Sequence, residues 1–188
     1  MLQTQGASEV DLQKAQAILD KHIPQSLQKF LEDAGTKIVL LGATKYNVAS
    51  PMLSELSFSV DDWPAPPAGL FVIAEKTVYV RIVSAMTIVH ELGHALDAAL
   101  GNGVYASGIN PMLKTAYNKS LGFVTPYAAS GLDEFFAENF RAYMNVNDAA
   151  SIWPKVSPER LKQFSPTVSA FFEQTLATIE TQFKAKGN

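Results

Sequence analysis

Apolar residues recur at helical spacing from Ser8 to Lys21, at Val10, Leu12, Ala15, Ile18 and Leu19, with Ser8 in place to cap the first turn. A second helix is expected from Pro24 to Asp33, opened by proline and ending before Gly35. Lys37 to Leu41 reads as a short buried strand. The stretch from Ala43 to Gly69 has no period and ends in the rigid run Trp63-Pro64-Ala65-Pro66-Pro67. Leu70 to Ala74 and Thr77 to Ile82 are β-rich and separated by Glu75-Lys76, which predicts a hairpin.

Helices then dominate. Ser84 to Leu100 is a long helical stretch closed by Gly101 and Gly103, and a shorter one covers Pro111 to Lys119. Leu132 to Tyr143 is apolar at Leu132, Phe135, Phe136, Phe140 and Tyr143. The last helix spans Pro166 to Lys184, with Val168, Phe171, Phe172, Leu176 and Ile179 on its inner side. Two helices, a small mixed sheet and a helical C-terminal half predict an α+β domain occupying residues 1–188. No βαβ alternation, internal repeat or glycine-rich phosphate loop is evident, which argues against a nucleotide-binding fold.

Composition narrows the partners. Hydrophobic residues make up 47% of the 188 and charged ones 18%, enough apolar material for one packed core. Fifteen basic and eighteen acidic residues leave a net charge of −3 without a basic block, so neither nucleic acid nor an anionic membrane is expected as a partner. No apolar run reaches the ~18 residues of a membrane span, and Met1 to Val10 lack the layout of a secretory signal. Cysteine is absent, which removes thiolate metal sites and cysteine nucleophiles. No heptad seam is present, so a monomer is expected.

The chemistry concentrates in His90-Glu91-Leu92-Gly93-His94. Residues i and i+4 share one helix face, so both imidazoles can reach one metal ion, and neutral imidazole suits Zn²⁺. Glu91 stands where a carboxylate can take a proton from water held by that ion. The competing reading makes both histidines hydrogen-bonded core residues. A catalytic zinc needs a third protein ligand. His22 sits at the end of an early helix, so a downstream carboxylate is expected, from the helix that carries Asp133, Glu134 and Glu138. Glu134 and Glu138 are four apart; if one binds metal, the other can accept a hydrogen bond from a ligating histidine.

His90-Glu91-Leu92-Gly93-His94-Ala95-Leu96-Asp97 followed by Asp133-Glu134-Phe135-Phe136-Ala137-Glu138-Asn139-Phe140 resembles the catalytic domain of anthrax lethal factor, and more closely the small secreted Pro-Pro endopeptidases of the same zinc metallopeptidase family. The resemblance extends over most of the chain and implies a zincin-like fold. It implies Glu134 as third zinc ligand, Tyr127 as donor to the developing oxyanion, and an extracellular location; Asp97 matches the family's aspartate, which either holds an imidazole N–H or caps or pairs locally. It also aligns Trp63 with a tryptophan that packs on substrate proline, although the segment around it departs from the family pattern. In zinc peptidases of this layout a strand like Thr77 to Ile82, carrying Tyr79, borders the cleft and pairs with extended substrate.

The expected function is therefore a zinc endopeptidase using one Zn²⁺, with Glu91 and Tyr127 catalytic, His90, His94 and Glu134 holding metal, Glu138 and Asp97 supporting them, and Trp63 and Tyr79 touching a peptide or protein substrate, proline-rich if the resemblance extends to specificity. Two alternatives stay open: an effector or toxin protease with one host target, and a zinc-stabilised binding domain without turnover.

Overall fold

The computed structural model describes residues 1–151 and 154–187. The chain opens with a short strand, β1 (Leu2–Thr4), and then α1 (Glu9–His22). Ser8 caps α1 through a reciprocal box with Asp11, in which the Ser8 hydroxyl accepts from the Asp11 N–H and the Asp11 carboxylate accepts from the Ser8 N–H. Ala15 and Leu19 are buried on the predicted stripe, but Val10 faces solvent. α2 (Gln25–Asp33) buries Leu27 and Leu31 and leads through Gly35 into β2 (Lys37–Leu40).

The stretch without sequence period holds two single-turn helices, α3 (Tyr46–Ala49) and α4 (Pro51–Ser54), and a 3-10 turn at Val60–Asp62. Side chains tie it to the sheet. The Tyr46 hydroxyl donates to the Pro67 carbonyl, Arg81 stacks on the Tyr46 ring and pairs with Asp61, and the Glu75 carboxylate accepts from Ser50 and from the Met52 N–H.

The hairpin forms as β3 (Gly69–Val72) and β4 (Thr77–Val80), joined by a 3-10 turn at Ile73–Glu75 and a left-handed Lys76. The sheet order is β1-β2-β4-β3, with β1–β2 and β2–β4 parallel and β3–β4 antiparallel in the register Gly69 to Val80. The mixed character of the sheet is as expected, but its first connection is not. β1, α1, α2 and β2 make a parallel crossover, which the sequence hid because a three-residue strand is too short to show a period.

α5 (Ala85–Leu100), capped by the Ser84 hydroxyl, runs through the core, with ten consecutive or near-consecutive buried residues from Ile88 to Ala98. α6 (Ala106–Ile109) and α7 (Pro111–Asn118) follow, then a 3-10 turn at Tyr127–Ala129 and α8 (Leu132–Tyr143), which packs along α5. α9 (Pro158–Phe164) and α10 (Pro166–Ala185) close the back, where Phe136, Phe140, Phe171 and Phe172 meet edge to face. Among the described residues no helix is long and apolar enough to cross a membrane.

Candidate metal centre

α5 and α8 cross so closely that a Cβ at Gly93 would lie 2.8 Å from the Ala137 Cα. Only glycine permits that approach, and it brings Glu134, one turn before Ala137, opposite the two histidines. His90 Nε2 lies 3.1 Å and His94 Nε2 3.3 Å from the same oxygen, Glu134 Oε2. That oxygen is buried and forms no hydrogen bond, so the three donors converge without bonding to one another. Their ligating atoms all lie within 4.8 Å. The 3.1 and 3.3 Å separations suit a four-coordinate ion with bonds of ~2.0–2.1 Å. His90, His94 and Glu134 could hold one metal ion, and among the described residues they are the group that could.

The other atoms of these ligands are tied down. His90 Nδ1 lies 2.9 Å from Glu138 Oε1, so a proton there donates to Glu138 and leaves the Nε2 lone pair facing Glu134. Glu138 is gripped further by the Thr125 hydroxyl and by Arg141, whose Nε and Nη2 each reach one carboxylate oxygen while Nη1 donates to the Val146 carbonyl. The Tyr127 hydroxyl donates to Glu134 Oε1 at 2.8 Å, and its ring tilts against His90. Thr125 and Arg141 carry no spacing signal. Arg141 stands three residues after Glu138 on the same helix face, a pairing visible only once Glu138 is known to be buried.

Charge in the site is mutually supported. Burial works against an imidazolium at His90, yet Glu134 and Glu138 more than offset it and push the pKa up to about 10 without metal. Burial alone would raise both carboxyls, but the imidazoles hold Glu134, and His90 with Arg141 hold Glu138, well below the usual range. Glu91 differs. Buried beside the two histidines, its carboxyl is pushed up by desolvation, which makes it a stronger base than a solvated carboxylate. A cleft of about 240 Å³ opens onto His90, Glu91 and Tyr127, walled by Ala68, by Gly69 at the start of β3, and by Met86 and Thr87 from α5.

Three sequence expectations land elsewhere. The Asp97 carboxylate accepts from the N–H and hydroxyl of Ser107, so it pins α6 to α5; His94 Nδ1 has no hydrogen-bond partner among the described residues. Tyr79 is buried, its hydroxyl donating to Glu75 and its strand β4 paired on both sides. A substrate strand cannot add there; the unpaired edge beside the cleft belongs to β3. Trp63 is half-exposed and stacks on Phe58, five residues before the cleft wall begins at Ala68 but not part of it.

No family model and no curated protein matches the chain. Among solved structures it is similar to the Pro-Pro endopeptidase PPEP-2 from Paenibacillus alvei, with a TM-score of 0.62, 21% identity, and coverage of 93% of this chain and 96% of that one. At that identity the likeness is one of fold.

Proposed function

We propose that this protein is a zinc-dependent endopeptidase. The observation that carries the reading is the convergence of His90, His94 and Glu134 on one point, with the Glu91 carboxylate and the Tyr127 hydroxyl beside it at the mouth of the cleft. Two imidazoles and one carboxylate, with no thiolate, form a donor set suited to catalytic zinc. When bound, zinc supplies Lewis acidity that makes hydroxide available from water near pH 7.

The chain's own residues supply the remaining steps. A peptide extended along the free edge of β3 would present its carbonyl to the cleft. Glu91, with its raised pKa, accepts a proton from the attacking water and returns it to the departing amide nitrogen. Tyr127 holds a hydroxyl proton within reach of Glu134 and donates it toward the oxygen that gains charge, the role of an oxyanion donor. Glu138, Thr125 and Arg141 hold His90 in the tautomer whose Nε2 lone pair faces the metal position. The fold shared with a Pro-Pro endopeptidase supports a peptide substrate and makes Pro-Pro bonds the first to try.

The test is cleavage of a mixed peptide library, half containing Pro-Pro, read by mass spectrometry, with Glu91→Ala and chelator-treated protein alongside. Cuts present only in untreated wild type support the peptidase, and cuts between prolines support the specificity. Cleavage that persists in Glu91→Ala would remove Glu91 from the mechanism. Zinc binding with no cleavage would favour a protease with a single protein target or a binding domain.

A further inference from the structure

The first residue of β3 makes an unusual demand on space. An added Cβ at Gly69 would lie 2.7 Å from Glu91 Cγ, 2.7 Å from Thr87 Cγ2 and 3.1 Å from Glu91 Oε1. Real Cβ atoms do not approach so closely, so any other residue forces something to move. The Gly69 backbone does not require glycine, since it pairs with Val80 in an ordinary antiparallel ladder and is not left-handed. Glycine in a strand costs stability and commonly marks a close approach of backbone to another group. Here that group is the Glu91 side chain. It lies in a slot with the Gly69 backbone on one side and the Thr87 methyl close by, while the backbone of Phe71, two residues along β3, favours its charged form. Each of these contacts comes from a residue that holds no metal.

Resting on the peptidase reading above, we infer that Gly69 is a positioning residue: its missing side chain leaves the slot that aims the Glu91 carboxylate into the cleft. β3 therefore has two tasks. Its free edge borders the substrate path, and its first residue sets the conformation of the base. A methyl group at 69 displaces Glu91 and leaves His90, His94 and Glu134 in place.

The test compares wild type, Gly69→Ala and Glu91→Ala for zinc affinity, by competition with a chromophoric chelator, and for turnover of a library peptide that wild type cleaves. Gly69→Ala is expected to keep wild-type zinc affinity and lose turnover about 10²-fold, the scale of a ~1 Å misplacement of a reacting group. A second measurement does not depend on activity. Gly69→Ala should lower Tm in wild type but not in a Glu91→Ala/Thr87→Ser background, where both nearest atoms are gone. Wild-type turnover in Gly69→Ala while Glu91→Ala is dead overturns the inference, as does an equal Tm loss in both backgrounds. If wild type cleaves no library peptide, the reading of a general peptidase falls and the pair of Tm shifts alone decides the role of Gly69.

Discussion

Glu138 accepts hydrogen bonds from His90, Thr125 and Arg141 at once, which makes it the hub of the site even though it is not one of the three converging donors. Glu138→Gln keeps the shape but sets an amide against some of those donors. Zinc affinity should fall by about 10- to 100-fold, the usual cost of a lost outer partner, in a chelator competition at pH 7; an unchanged affinity would leave Glu138 a purely structural residue. Asp97 makes a different prediction. Burial raises its pKa from 3.8 to about 6, against the opposing hydrogen bonds from Ser107. The folded state therefore holds the Asp97 proton more tightly than the unfolded chain does. Its contribution is full below pH ~4 and is lost as pH rises toward ~6. In urea titrations of metal-free protein across that window, Asp97→Asn should lose less stability with rising pH than wild type. At this scale His90, Glu91 and His94 were legible because i and i+4 must share a helix face. The partner of Asp97 was not, because Ser107 reaches it only after the chain turns back through α6.

Among the elements, the crossing of α5 and α8 carries the most weight. The close approach at Gly93 is to a backbone atom of Ala137, which cannot step aside unless the helices part. Gly93→Ala should cost about 1–3 kcal/mol, as overpacking does, and weaken zinc binding along with it, because parting the helices draws Glu134 away from the histidines. Denaturant midpoints with and without metal would check this; loss of stability with zinc affinity intact would refute the coupling. The strand pairing shows what periodicity cannot reveal. Thr77 to Ile82 is expected to border the cleft and pair with substrate, yet β2 and β3 flank β4 and all four of its residues are buried. A short run of alternating residues says which faces a strand has, whereas the neighbour that makes β4 interior, β2, comes from a distant part of the chain, with Lys37 paired to Thr77.

For the whole molecule, zinc is expected to act as a ligand of the folded state, since the three donors come from α5 and α8 and meet only after those helices dock. Free metal at 1,000 times its Kd should add about 4 kcal/mol of stability. Chelation should lower Tm in wild type and in Glu91→Ala, and have no such effect in His94→Ala; a chelation-sensitive His94→Ala would mean a different ligand set. The sequence by itself determined the α+β class, the main helices, the hairpin and the His-Glu-His segment, because these depend on spacing within one element. It also narrowed the third ligand to the helix of Glu134 and Glu138, and the family resemblance chose Glu134. Tertiary structure alone decided the parallel crossover of β1 and β2, the interior place of β4, the turn of Asp97 toward Ser107, the grip of Thr125 and Arg141 on Glu138, and the slot that Gly69 leaves for Glu91. Each of these is a distance between residues on different elements, and local sequence periodicity contains no term for how close two elements come.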